Sequence, residues 1–375
     1  MTGERGVWGS PPAEEEVRVR RLQDKLLAWY ARARRDLPWR RTRDPYAIWV
    51  SEVMLQQTRT ETVLPYYERF LSTYPSVHAL AEAPLEDVLR LWSGLGYYRR
   101  ARMLHAAARD VEVSRGGTLP RTAAELLGIE GIGRYTAGAV ASIAWGEAVP
   151  VVDGNVARVL SRLFAIDADL HEGTERRLWD IAASLVVPRD PSSWNQALME
   201  LGATVCAPRH PRCSSCPLET ECDARARGLA EELPRAKKKK APKLVRRVGF
   251  VLWSKGRLWL GRRPEDGLFG GMWEPPHADA RDAGAAGREL VAKTRGRVKE
   301  AGTVTHLLSH RRIEMTIYAG RAERLLTTEL RGHLRDYDAL AWLHEEELGQ
   351  RPLTSLARKV LARATEFTEE EKTRR

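Results

Sequence analysis

Two carboxylates are set where they could do chemistry. Glu52 lies in an otherwise apolar stretch, Ile48-Trp49-Val50-Ser51-Glu52-Val53-Met54-Leu55. A carboxylate on a mostly buried helix is costly unless it has a task or a partner, and burial would raise its pKa. Asp153, in Val152-Asp153-Gly154-Asn155-Val156, stands just before a helix expected from about Val156, where it can cap the helix and stay ionised. Capping alone would account for an aspartate there. A proton-donating Glu and an ionised Asp are also the pair that cleavage of an N-glycosidic bond through an oxocarbenium-like state requires.

All four cysteines of the chain, Cys206, Cys213, Cys216 and Cys222, fall on one short loop as C-x6-C-x2-C-x5-C, with Pro208, Pro211 and Pro217 stiffening it. Such clustering in a long chain argues against a disulfide framework and for a metal or cluster site. Four thiolates suit structural zinc or a 4Fe-4S cluster, and ligand softness does not separate the two. A third feature is Gly131-Ile132-Gly133, between Leu126-Leu127-Gly128 and Arg134-Tyr135-Thr136-Ala137-Gly138. This is helix-turn-helix spacing in which a Gly-x-Gly turn can expose backbone N–H groups to a phosphate without reading base sequence. A lone G-x-G is more often a plain turn.

From about Val17 to Asp223, apolar residues recur at three- and four-residue spacing, as in Leu22 to Tyr30, Ala101 to Val111 and Val156 to Leu163, so this part is expected to be helical. Pro234 to Lys243, with the unbroken run Lys237 to Lys240, reads as an exposed linker. Beyond it come short β-like runs, Arg247 to Trp253, Leu258 to Arg262, Glu314 to Ala319 and Ala339 to Leu343, with one helical segment near Ala285 to Lys293, which predicts an α+β domain. Residues 1–16 and 366–375 read as disordered tails. The expected division is therefore a mainly α domain over 17–230, a basic linker over 231–246 and an α+β domain over 247–365.

With 375 residues, two domains are the natural prior. A net charge of +11 points to a polyanionic partner, nucleic acid before membrane. The N-terminus shows no secretory pattern and the chain has no run of eighteen apolar residues, so a cytoplasmic protein without a membrane partner is expected.

Residues 17 to about 230 resemble the helix-hairpin-helix base-excision glycosylases, specifically the MutY-type adenine DNA glycosylases, through Leu37-Pro38-Trp39-Arg40, Ser51 to Thr58, Gly94-Leu95-Gly96-Tyr97-Tyr98 and Val152 to Val156. The cysteine spacing is similar to that family's iron–sulfur loop over 206–222, which implies a 4Fe-4S cluster. The resemblance implies that Glu52 protonates adenine and assists water, that Asp153 stabilises the sugar cation and that Tyr135 and Asn155 support them. It further implies that Arg40, Gln196 and Glu200 lie near a flipped adenine, that Gln57 and Tyr97 wedge into the duplex, and that Thr58, Gly131 and Gly133 belong to the DNA-binding surface. Extrusion of a base leaves a gap in the stack that such wedges fill. Glu130 stands where the family often has proline.

The second domain resembles the Nudix-like C-terminal domain of the same family through Gly270-Gly271-Met272-Trp273-Glu274-Pro275-Pro276 and Pro352 to Lys359. Arg288-Glu289-Leu290 is followed by Val291-Ala292-Lys293, so the magnesium-binding carboxylates of a Nudix hydrolase are missing and recognition is left as its role. Thr305 to His310 aligns with the family's 8-oxoguanine-sensing loop, which puts Ser309 and His310 at that base, with Leu308 where an aromatic is usual. The implied function is hydrolysis of adenine mispaired with 8-oxoguanine or guanine in double-stranded DNA, by a monomer associated with the nucleoid. An endonuclease III-like glycosylase/lyase is the rival, disfavoured because Tyr135 stands where that family has its lysine nucleophile and no Lys occurs between Lys25 and Lys237. A DNA-binding protein that has lost the chemistry is a second rival, disfavoured by the presence of both Glu52 and Asp153.

Overall fold

The computed structural model describes residues 12–167, 172–235, 241–293, 297–322, 334 and 336–373. Contacts divide the chain into two compact units, one made of residues 1–81 and 106–239 and the other of residues 82–105 and 240–375. The helical pair segment 82–105 thus packs with the C-terminal part of the chain.

The first unit is helical. Its described elements are α1 (Pro12–Ala33), α2 (Pro45–Leu55), α3 (Thr60–Thr73), α4 (Val77–Glu82, ending at the unit boundary), part of α6 (Arg99–Arg115), α7 (Ala123–Leu126), α8 (Arg134–Val140) continued by a π-helical turn over Ala141–Trp145, α9 (Gly154–Leu163), α10 (Glu172–Leu185), α11 (Pro191–Thr204) and α12 (Asp223–Ala226). Leu22, Leu26 and Tyr30 repeat every fourth residue along α1 and are buried with Val156, Leu160 and Leu163 of α9 and Trp194, Leu198 and Leu201 of α11. Three helices that each bury one stripe thereby share a core. α2 is buried from Tyr46 to Met54. Its start is fixed by Pro45 and by Asp44, whose carboxylate accepts from the N–H groups of Tyr46 at 3.1 Å and Ala47 at 3.3 Å. At Gly202 of α11 an added Cβ would lie 2.6 Å from Asn155 Cβ, so only glycine lets α11 approach α9 this closely.

The second unit contains α5 (Leu85–Trp92) and the start of α6, then a seven-stranded sheet. The strands are β1 (Lys243–Ser254), β2 (Arg257–Arg262), β3 (Trp273–Glu274), β4 (His277–Asp279), β5 (Val298–Leu307), β6 (Arg311–Arg321) and β7 (Ala339–His344). They run in the order β3-β2-β1-β6-β5, with β4 on β1 and β7 on β2. β1 and β6 pair in parallel from Lys243↔Arg311 to Trp253↔Arg321. Val248, Phe250 and Leu252 alternate along β1 into one core. Among the described residues the helices of this unit after the sheet begins are α13 (Ala280–Lys293), α14 (Glu345–Leu348) and α15 (Ser355–Thr373), where the sequence predicts one.

Several expected boundaries are corrected. Residues 12–16 are helical, because Pro12 opens α1 and Glu14 and Glu15 occupy its first turn, where acidic charge suits the helix dipole. Residues 366–373 continue α15, with Arg363 paired to Glu366 and Glu370 at 3.3 Å each. β1 begins at Lys243, so the linker ends four residues before the expected Arg247. Residues 1–11 and the run 237–240 lie outside the described residues.

Candidate active site and cysteine loop

A cavity of about 850 Å³ in the first unit is lined by side chains from the loop after α1, α2 and the turn after it, Tyr135, the start of α9 and one face of α11. Gln196, Met199, Glu200 and Ala203 face it, at the three- and four-residue spacing of one helix face. Glu52, Gln57, Thr58, Tyr135, Asp153, Asn155, Arg40, Gln196 and Glu200 all line this cavity, so residues chosen from five separate stretches of sequence are brought together. Gly133 lines a neighbouring cavity with Arg134 and Tyr135. Gly133 caps α8 and Gly131 takes φ +93°, which gives the hairpin turn its left-handed residue despite Glu130.

Glu52 is 4 % exposed. Burial pushes its carboxyl up to about 7, with the charge of Asp153 adding to the rise, against a hydrogen bond donated by the Tyr135 hydroxyl. Tyr135 is itself driven well above the ordinary phenol range by burial and by Glu52 and Asp153, so it stays a donor. Its hydroxyl also lies 3.5 Å from Met199 Sδ. Asp153 caps α9. Its Oδ1 accepts from Val156 N–H at 2.7 Å and its Oδ2 from the Asn155 amide at 2.9 Å. Burial nevertheless raises the Asp153 carboxyl, and these hydrogen bonds restrain the rise. The helix terminus therefore limits the cost of ionising Asp153 without lowering its pKa below the ordinary carboxylate value. Capping and site membership coexist in Asp153.

Glu200 is fully buried. Its Oε1 accepts from the Arg35 backbone N–H at 3.1 Å and Nε at 2.9 Å, and its Oε2 from Arg35 and Arg40 at 2.8 Å each. Burial pushes this carboxyl up, but the hydrogen bonds from Arg35 and Arg40 win and hold it at about 2. Gln196 accepts from the Tyr30 hydroxyl at 3.3 Å through Oε1 and donates from Nε2 to Ser192. Arg35, Trp39, Met199 and Arg158 also line the cavity and were not singled out from sequence. Nothing in local spacing marks Arg35, whose partner Glu200 is 165 residues away. Arg158 could have been found as the residue one helical turn after Asn155, to which it donates at 2.9 Å.

Gln57, after the end of α2, holds φ at +57°, and Tyr97, in the second unit, holds φ at +50°. A left-handed backbone is costly for such side chains and persists where the surroundings impose it. In the second unit Leu308, Ser309 and His310 form the turn between β5 and β6, closed by Leu308 N–H to Arg311 O at 2.8 Å and Lys243 N–H to His310 O at 3.0 Å. Ser309 and His310 are exposed. The Ser309 hydroxyl lies 3.2 Å from that of Tyr97, within the same unit.

The four cysteines line one small cavity in the first unit with Arg162 and Arg225. Arg162 donates to Cys206 Sγ at 3.3 Å and to the carbonyls of Ala207 at 2.7 Å and Leu233 at 2.8 Å, and Arg158 donates to Cys206 O at 2.8 Å. From α1, Arg18 donates to Glu221 O at 2.7 Å and Asp223 at 2.9 Å, while Lys25 pairs with Glu221 at 2.9 Å. Burial, and secondarily the other three sulfurs, push the Cys216 thiol up to about 12. Four half-buried sulfurs converging on one cavity, with Cys216 and Cys222 held toward the thiol form by burial, suit a multivalent cationic centre that would draw them into thiolate ligation. Among the described residues no group of three or more His, Cys, Asp or Glu closes around a single metal ion.

Residues 50–184 match the HhH-GPD superfamily of base excision DNA repair proteins and residues 248–363 match the NUDIX domain. The chain is 37% identical over 408 residues to the adenine DNA glycosylase of Homo sapiens, covering 91% of this chain and 73% of that protein. It is 38% identical over 414 residues to that of Arabidopsis thaliana, covering 92% and 64%. Among solved structures, a thermostable thymine-DNA glycosylase matches at TM-score 0.51 and 30% identity over 57% of this chain and 99% of that one. An endonuclease III trapped covalently on DNA shares the fold, with TM-score 0.50 and 24% identity, over 57% of this chain and 98% of that one.

Proposed function

This chain belongs to the adenine DNA glycosylase family of base-excision repair, and from that premise we propose that it is a monofunctional enzyme hydrolysing adenine from duplex DNA where the adenine is paired with 8-oxoguanine or guanine. The observation that carries this reading is Glu52, buried, poised near neutrality and facing the same cavity as Asp153. Adenine leaves poorly as an anion. Protonation at N7 by Glu52 lets it depart neutral as the C1′–N9 bond breaks, and the sugar takes on positive charge. Asp153, ionised and held by Val156 and Asn155, faces that charge. Glu52, now a carboxylate, accepts a proton from the water that adds to C1′, which restores the acid and leaves an abasic site. Tyr135 holds Glu52 in place by its donated hydrogen bond.

Glu200, ionised and spanned by Arg35 and Arg40, gives the cavity a fixed polar wall. With Gln196 it is suited to hydrogen-bond the edge of a flipped purine. No lysine is among the residues lining the cavity, which favours hydrolysis over Schiff-base chemistry. Gln57 and Tyr97, each with a strained backbone, fit the role of wedges, and Thr58 with the Gly131 and Gly133 turn fits phosphate contact. Ser309 and His310, exposed at a hairpin tip, fit contact with the base opposite the adenine.

The donor set of Cys206, Cys213, Cys216 and Cys222 fits a 4Fe-4S cluster, whose positive irons would neutralise the four thiolates and tie the loop into one rigid piece. We infer further that one chain acts alone, in the cytoplasm at the nucleoid, where its net charge of +11 suits a polyanionic duplex. The deciding experiment is incubation with a duplex holding one adenine opposite 8-oxoguanine, scored with and without alkali and with borohydride. Breakage only after alkali and no trapped complex is expected. Efficient trapping would replace this mechanism with that of a lyase.

A further inference from the structure

Tyr97 is 48% exposed and its backbone is strained, so something other than its own burial must hold it. It lies between α5 and α6, in the segment 82–105 that packs within the second unit. That segment is tied to the C-terminal chain on both sides of Tyr97. On α5, Glu86 Oε1 accepts from the Trp273 indole N–H and from Arg351, at 2.9 Å each, while the Arg351 guanidinium lies 5.2 Å over the Trp273 ring. Ser93 donates to Leu353 O at 2.7 Å and accepts from Arg358 at 3.0 Å. Beyond Tyr97, the Tyr98 hydroxyl accepts from Ser355 N–H at 3.3 Å, and Arg102 donates to Gly270 O at 2.9 Å. The Tyr97 hydroxyl itself meets Ser309.

We propose that Glu86 and Ser93 are positioning residues that lock α5 to the sheet, so that Tyr97 and Ser309 act as one reading head and duplex penetration is coupled to recognition of the base opposite the adenine. This rests on the reading of Tyr97 as wedge and Ser309 as sensor. Two exposed side chains on separate segments meet the duplex in register only if the segments beneath them cannot slide, and a misplacement of about 1 Å can cost about 10²-fold in rate. Neither Glu86 nor Ser93 needs to touch DNA. Their effect is to make the gain from the correct opposing base depend on the same geometry that drives the wedge into the stack.

The test uses the full chain as Glu86→Ala, Glu86→Gln, Ser93→Ala and Ser309→Ala. Single-turnover excision is measured on adenine opposite 8-oxoguanine and opposite guanine, with thermal denaturation and with the fluorescence of 2-aminopurine placed beside the opposing base as a reporter of unstacking. Glu86→Ala and Ser93→Ala should lower the 8-oxoguanine rate more than the guanine rate and blunt the fluorescence rise. Glu86→Gln keeps an acceptor for the Trp273 indole and should restore most of the ratio. Adding Ser309→Ala to Glu86→Ala should lower the ratio less than Ser309→Ala does alone. A lowered melting temperature with an unchanged ratio and fluorescence in both alanine variants would overturn the proposal, leaving the contacts merely structural. Should Ser309→Ala alone leave the ratio intact, the sensor reading fails and this inference with it.

Discussion

Glu52 and Asp153 line one cavity, yet burial acts on them with different results because their partners differ. Glu52 receives one hydrogen bond and ends near 7, while Asp153 receives a backbone N–H and an amide that oppose the rise. Glu52→Gln and Asp153→Asn should each lower single-turnover excision by about 10²- to 10⁴-fold, the usual worth of a general acid or of placed charge. The wild-type rate should fall tenfold per pH unit once pH exceeds about 7, because the acid form of Glu52 is then the minority species. A flat profile from pH 6 to 9 would remove Glu52 from the acid's role. Stability carries the same sign. A carboxyl whose pKa is raised on folding contributes stability fully present below about 4.5 and lost as pH rises through about 7. At about 1.4 kcal/mol per unit this is on the order of 3 kcal/mol at most. Glu52→Gln should therefore raise the melting temperature at pH 8 and leave it nearly unchanged at pH 4.5. The residues were legible in the sequence because an acid in an apolar run is anomalous. Arg35 was not, because its meaning lies in a partner that only folding brings near.

At the scale of elements, α9 and α11 do the positioning. α9 carries Asp153 at its cap, Asn155 in its first turn, and Arg158 and Arg162 against the cysteine loop. α11 presents Gln196 and Glu200. Their contact at Gly202 is so close that Gly202→Ala must push Asn155 aside. Overpacking of this kind costs about 1–3 kcal/mol, and the displaced Asn155 should loosen Asp153. We expect a lower melting temperature and slower excision at full substrate occupancy. An active variant with unchanged stability would mean the two helices part freely. Long amphipathic helices such as α1 were readable because their apolar stripes repeat over several turns. β5 was not, since the irregularity between Glu300 and Gly302 breaks its two-residue period. β3 and β4 are too short to show a period, and the buried stripe of α15, Leu356, Ala357, Val360 and Ala364, is confined to its first half and gives way to a charged run.

For the whole molecule, the change of texture near Pro234 told of two domains, but it could not tell that residues 82–105 pack with the C-terminal chain. That grouping depends on single polar contacts such as Glu86 with Trp273 and Ser93 with Leu353, which leave no periodic trace. It alters what removal of the C-terminal part should do. If that part only sensed the opposing base, truncation after Pro234 would narrow the preference for 8-oxoguanine over guanine and leave the slower rate untouched. Truncation also strips Glu86, Ser93, Tyr98 and Arg102 of their partners, so Tyr97 loses the support that holds its strained backbone. Both rates should therefore fall, the 8-oxoguanine rate further, while Ser309→Ala in the full chain should lower the ratio with little effect on the guanine rate. Single-turnover excision on the two duplexes separates these outcomes. A truncated chain whose guanine rate equals that of the full chain would show that Tyr97 needs no support from the sheet, and an unchanged ratio would move recognition of 8-oxoguanine out of the C-terminal domain altogether.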